Sequence, residues 1–110
     1  DTFAGSSIGE RIKRAYAYGG VKREQPFVFE YDRQLVQGVI DLYFIEDGQL
    51  VIVDYKTDRV LRGRAGEDEL RRRYSIQLDY YAMALSQITG LKVKEKVIYS
   101  FALGRSLTVE

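Results

Sequence analysis

Two aspartates and a lysine, Asp41, Asp54 and Lys56, are the residues of this chain whose types and spacing could assemble a catalytic site. Between the acids lie two β-rich apolar runs separated by Glu46-Asp47-Gly48-Gln49. Asp-Gly between such runs signals a hairpin with a two-residue turn. With Asp47-Gly48 as that turn, Glu46 pairs with Gln49, and extending the pairing outward sets Asp41 directly opposite Asp54. Opposed residues of an antiparallel pair share a face, with Cβ atoms roughly 4.5–5.5 Å apart. Side chains alternate along a strand, so Lys56 falls on the same face. A bulge at the turn would slip the register by one residue and send one acid to the other face.

Opposed carboxylates inside a sheet are costly, because they repel each other and are both withdrawn from water. Three arrangements could compensate. One acid could be protonated with a raised pKa, Lys56 could neutralise part of the charge, or a divalent cation could bridge the pair. A buried Lys–Asp ion pair with no catalytic role has the same spacing.

The elements that must hold these residues are legible from periodicity. Ser7 and Glu10 have capping-box spacing, and Ile8, Ile12, Ala15 and Tyr16 follow at helical intervals, which predicts a helix over 7–18 ended by Gly19-Gly20. Residues 26–32 read as a strand, followed by a turn at 32–34. The hairpin strands run over 35–45 and from 50 through 55. Regular alternation groups Val39, Tyr43, Ile45, Leu50 and Ile52 on one face and Ile40, Leu42, Phe44, Val51 and Val53 on the other. Strands apolar on both faces belong in the centre of a covered sheet. A polar, basic loop over 58–66 leads to a long helix over 67–88, carrying Leu70, Tyr74, Gln77, Leu78, Tyr81, Leu85 and Ile88, with Gly90 as its stop. Strands over 94–103 and 106–109 complete the order. Short turns make the first three strands an antiparallel meander, and the long helix permits a parallel right-handed crossover to the fourth. The expected fold is α/β, a mixed sheet with helices on both faces.

Composition narrows the chemistry. The 110 residues suffice for one domain. There is no cysteine and no histidine, which removes thiolate and imidazole chemistry and leaves oxygen donors suited to hard cations. No apolar run approaches the roughly 20 residues of a membrane span, and no export leader is evident, so a cytoplasmic location is expected. The net charge of +1 says little by itself, but Lys56, Arg59, Arg62, Arg64, Arg71, Arg72 and Arg73 gather in mid-chain.

Taken together, Gly38-Val39-Ile40-Asp41, then Asp54-Tyr55-Lys56-Thr57-Asp58, then Gln77 and Tyr81, resemble the core motifs of the RecB-type branch of the PD-(D/E)XK nuclease superfamily. Arg23-Glu24-Gln25-Pro26-Phe27 is similar to a segment preceding that branch's first strand. The likeness is greatest to the C-terminal nuclease domains of AddA-type helicase–nuclease subunits, and it covers the chain from about Ser7 onward. The resemblance implies a restriction-endonuclease-like three-layer core and an Mg²⁺- or Mn²⁺-dependent deoxyribonuclease, an exonuclease of double-strand-break processing and recombinational repair. Asp41 and Asp54 would be metal ligands, with the Tyr55 carbonyl as a third, and Lys56 the catalytic lysine. Gln77 and Tyr81, four apart on one helix face, would support DNA binding, although their spacing alone better fits a core tyrosine and a strand-capping glutamine. The implied partners are DNA, the helicase part of a parent chain and a partner nuclease subunit.

The chain departs from that pattern in lacking the upstream metal-binding histidine, an initiator methionine and any phosphate-binding loop for ATP. The expectation is a single nuclease domain over 1–110, excised from the C-terminal end of a larger helicase–nuclease and weak or inactive alone. Glu10 and Glu24 are candidate substitutes for the absent ligand. The competing readings are an inactive nuclease-like module for DNA binding or subunit docking, and a stand-alone restriction or junction-resolving enzyme.

Overall fold

The computed structural model describes residues 3–110. A 3₁₀ turn at Phe3–Gly5 leads into α1 (Ser7–Ala17), β1 (Val21–Tyr31), β2 (Gln34–Glu46), β3 (Gln49–Lys56), α2 (Arg64–Thr89), β4 (Val93–Ser100) and β5 (Arg105–Val109). The five strands form one sheet in chain order. β3 and β4 are parallel, joined through α2, and the other neighbours are antiparallel. The expected mixed α/β sheet is thus observed. Among the described residues no helix is long and apolar enough to cross a membrane.

Several boundaries move for identifiable reasons. The cap of α1 is Ser6 rather than Ser7: its Oγ accepts from the Gly9 N–H at 3.1 Å and donates to the Phe3 carbonyl. β1 starts at Val21 because the long β2 offers it partners as far as Phe44, although Lys22 and Arg23 break the apolar pattern. Pro26 is tolerated there because β1 is an edge strand. α2 begins at Arg64, inside the stretch expected to be loop.

The hairpin register is the one the turn dictates. Asp47 and Gly48 have φ of +55° and +74°, as a type I′ turn requires, and Glu46 pairs with Gln49. Ile8 and Ile12 of α1 pack with Leu42, Phe44, Val51 and Val53. On the other side, Leu70, Leu78 and Leu85 of α2 pack with Tyr43, Leu50, Ile52 and Ile98. Arg11 ties α1 to the sheet, its guanidinium donating to Glu46 of β2 at 2.8 and 3.0 Å and also to Glu95 of β4.

Regular alternation fails within β2. Ile40 packs on the α2 side instead of joining Leu42 and Phe44, and Val39 is 52% exposed. The β1–β2 ladder skips the position where Glu24 would face Asp41, and Glu24 adopts φ of +49°. The register resumes unshifted at Gln25 and Ile40, so both strands turn over about their axes at this one point.

The segment after Lys56 is held against α2. Val60 packs on the α2-side core, and Gly66 lies so close to the preceding loop that an added Cβ would sit 1.7 Å from the Leu61 carbonyl oxygen. Backbone cannot yield cheaply there. Gly66→Ala is expected to lower stability by about 1–3 kcal/mol, the usual cost of overpacking, and to speed amide exchange across residues 57–63. Denaturant unfolding and hydrogen exchange check this, and wild-type values in both would show that the loop is not seated on the helix.

Candidate active site

The turnover in β2 opens a fork in the sheet. The β2–β3 ladder runs from Glu46 and Gln49 to Leu42 and Val53, and Asp41 and Asp54 come next. β3 stays straight beyond this point, paired with β4 as far as Lys56 and Ser100. It is therefore β2 that turns away, taking β1 with it. Had the ladder continued, Tyr55 would have met Ile40. Instead its N–H donates to Asp41 Oδ2 at 2.8 Å, so a side-chain carboxylate replaces the missing strand partner.

Asp54, on the wall of the fork, is 2% exposed. The Lys56 ammonium lies 2.8 Å from its Oδ2, yet that buried oxygen receives no directed hydrogen bond. The contact is an ion pair whose geometry leaves the acceptor unsatisfied. Burial pushes the Asp54 carboxyl up to about 6, with Asp41's charge adding to the shift and Lys56 opposing it. Two of the three compensations open at the outset, a raised pKa and partial neutralisation by Lys56, operate together.

Helix α2 supplies the other wall. Lys56 Nζ donates to Gln77 Oε1 at 3.0 Å and sits 4.0 Å from the centre of the Tyr74 ring. The Tyr74 hydroxyl donates to Asp58 Oδ2 at 2.6 Å, and the same oxygen accepts from Arg73 at 3.0 Å. Hydrogen bonding from Tyr74, joined by Arg73, holds the Asp58 carboxyl below its ordinary value.

The structure thus brings Asp41, Asp54, Tyr55, Lys56 and Gln77 together. Tyr55 meets Asp41 through its N–H rather than its carbonyl. Tyr81 is 7% exposed and packs edge-on against Phe27 at 5.4 Å. Its phenol is pushed up to about 12, first by burial and then by the charges of Asp54 and Asp41. It belongs to the core beneath the site. Glu10 lies on α1, beyond the other face of the sheet, exposed and paired with Lys13 at 3.5 Å. Glu24 is exposed at the skipped ladder position beside Asp41. The sequence pattern assigns no role to Tyr74 or Asp58. The available signal is position: Tyr74 precedes Gln77 by three residues, on the same helical face, and Asp58 follows Lys56 by two.

The donor set suits a hard divalent cation: two carboxylates, one of them with a buried oxygen that no hydrogen bond satisfies. Among the described residues no third carboxylate joins them. Mg²⁺ tolerates such a site, since it commonly binds through one or two carboxylates and keeps water or substrate phosphate in its remaining positions.

Comparison with known proteins bears on this arrangement. Residues 6–107 match the PD-(D/E)XK nuclease superfamily. The chain is 52% identical over 79 residues to an ATP-dependent helicase/nuclease subunit of Lachnoclostridium phytofermentans, covering 72% of this chain and 6% of that protein. It is 41% identical over 120 residues to the ATP-dependent helicase/nuclease subunit of the same name from Thermoanaerobacter sp. (strain X514), covering 96% of this chain and 9% of that protein. Against the corresponding protein of Clostridium beijerinckii it is 36% identical over 124 residues, with 98% and 10% covered. The chain therefore spans a tenth or less of the length of these relatives.

The raised pKa of Asp54 has a signed consequence for stability. Between the ordinary carboxylate value of 3.8 and about 6, the folded chain keeps a proton that the unfolded chain releases. The stability from that proton is present in full below about pH 4 and is lost as pH rises through 6. Asp54→Asn removes the titration. The melting temperature of the wild type relative to this variant is expected to fall by on the order of 5–10 °C between pH 4 and pH 7. Thermal unfolding of both proteins across that range checks it, and a pH-independent difference would mean that Asp54 titrates normally.

Proposed function

This chain belongs to the PD-(D/E)XK nuclease superfamily, and on that footing we propose that it is a metal-dependent deoxyribonuclease domain with Asp41, Asp54 and Lys56 as its catalytic centre. The observation that carries the reading is the convergence of these three groups at the fork between β2 and β3, where Asp54 Oδ2 is buried without a hydrogen bond.

Asp41 and Asp54 would hold Mg²⁺ or Mn²⁺, with the Tyr55 carbonyl as a further donor. Such a cation supplies, when bound, Lewis acidity toward a phosphodiester oxygen and a lowered pKa for a coordinated water. The chain's own residues do the rest. Asp54 would ligate as the carboxylate, its buried charge stabilised by the bound cation in place of Lys56. Tyr55 fixes one Asp41 oxygen through its N–H and leaves the other oxygen for a ligand. Lys56, a compact charge with rotatable donors, stabilises negative charge developing on the phosphate during in-line attack. Gln77 orients Lys56 by accepting a hydrogen bond from its ammonium, which gives the glutamine a role at the reacting end of the DNA. Tyr81 supports that wall from the core.

The helicase/nuclease names of the relatives and the small share of them that this chain covers support a wider proposal. The chain is one nuclease domain of a longer helicase–nuclease, paired with a second nuclease subunit. It degrades DNA exonucleolytically in the cytoplasm during double-strand-break processing and recombinational repair. The ATP site lies in the motor portion.

The deciding comparison is cleavage of single-stranded DNA by the longer helicase–nuclease with Mn²⁺, as wild type and as Asp54→Ala. The variant is expected to lose at least about a hundredfold in rate while keeping its ATPase activity. Equal cleavage would remove the assignment of this site. Metal-independent or absent cleavage in both would favour an inactive DNA-binding or docking module.

A further inference from the structure

We infer that Tyr74, clamped by Asp58, is a positioning residue for Lys56, an inference that rests on the nuclease reading above. Among the described residues, three groups touch the Lys56 ammonium: Asp54 Oδ2 at 2.8 Å, Gln77 Oε1 at 3.0 Å and the Tyr74 ring at 4.0 Å from its centre. They differ in what they can do during the reaction. The Asp54 contact is the one for which a metal ion competes, since the same oxygen is the one left without a hydrogen bond. Gln77 contributes a single neutral acceptor. The Tyr74 ring presents a fixed, uncharged attraction for a cation, well inside the roughly 6 Å at which such contacts act.

The ring is itself anchored at its far end. Its hydroxyl donates to Asp58 Oδ2 at 2.6 Å, and Asp58 is tied by Arg73 at 3.0 Å, which in turn pairs with Glu69 at 3.2 Å. A phenol donating to a carboxylate is polarised toward greater electron density, which strengthens its pull on a cation. The Lys56 side chain is 16% exposed, so the contact is largely shielded from water, where it counts for more. Asp58 lies in the segment that Gly66 seats against α2, so loop and helix present the ring together. Lysine has a flexible four-carbon stem, and the platform limits where its charge can go without reducing that charge.

Two readouts test this. In the 110-residue chain the ring current of Tyr74 should move the Lys56 ε-methylene protons upfield of those of the other lysines. Tyr74→Phe should keep that shift and Tyr74→Leu should abolish it. In the helicase–nuclease, Tyr74→Leu should lower kcat about tenfold with KM changed less than about twofold, whereas Tyr74→Phe should stay within about threefold of wild type. If Tyr74→Leu does not fold, Tyr74→Met serves in its place, because it too removes the ring, and it should abolish the shift and lower kcat about tenfold. An unshifted Lys56 in the wild type, or wild-type kcat in Tyr74→Leu or in Tyr74→Met, would overturn the inference. Either result alongside a dead Asp54→Ala enzyme removes the role of Tyr74 alone, whereas an active Asp54→Ala enzyme removes the nuclease reading itself.

Discussion

A carboxylate that is 2% exposed near the centre of a sheet, with a second carboxylate beside it, is the constraint around which this fold is arranged. Burial and repulsion both oppose ionisation, and a sheet that closed regularly over Asp41 and Asp54 would have no means of relieving either. The chain relieves both by letting β2 turn away after Leu42, at the position where Glu24 takes a positive φ. The opening admits Lys56 and the α2 side chains, and it frees the Tyr55 N–H to satisfy one Asp41 oxygen. The strained conformation of Glu24 in β1 thus accompanies the space in which the acids meet.

Much of this is legible in the order of residues. The type I′ turn at Asp47-Gly48 fixes the register through simple pairing arithmetic, and the arithmetic places the two acids next in line after Leu42 and Val53. What the arithmetic cannot carry is the end of the ladder. Regular alternation puts Ile40 with Leu42 and gives Val39 a covered face, whereas Ile40 packs under α2 and Val39 is 52% exposed. No glycine or proline marks the reversal. It falls on Glu24 and Asp41, residues without special backbone freedom, and it follows from tertiary relief of charge rather than from local propensity. The displaced helix cap has a smaller cause, since Ser6 and Ser7 adjoin and both lie near Glu10.

The helix side of the site shows a different limit. Helical spacing puts Tyr74, Gln77 and Tyr81 on one face but cannot divide that face between core and chemistry. In the fold the division follows depth. Tyr81 packs against Phe27 in the core, Gln77 reaches Lys56, and Tyr74 faces both Lys56 and Asp58. A spacing rule sees three equivalent positions where the structure has a gradient from buried to reactive.

That gradient explains why core and site cannot be separated in this domain. The turns of α2 that carry Tyr74 and Gln77 also carry Leu70 and Leu78, which are fully buried against the sheet. Any shift of the helix that relaxed Lys56 would expose that apolar surface, at roughly 25 cal/mol for each Å² uncovered. Hydrophobic packing, which has no directional chemistry of its own, thereby sets the distance between Lys56 and its partners. Side chains on a packed helix and a paired strand are held more tightly than loop residues, and charge-stabilising groups need such rigidity if they are not to reorganise during reaction. The buried Asp54 destabilises the sheet locally, and the hydrophobic layer beneath α2 supplies the stability that lets it stay there.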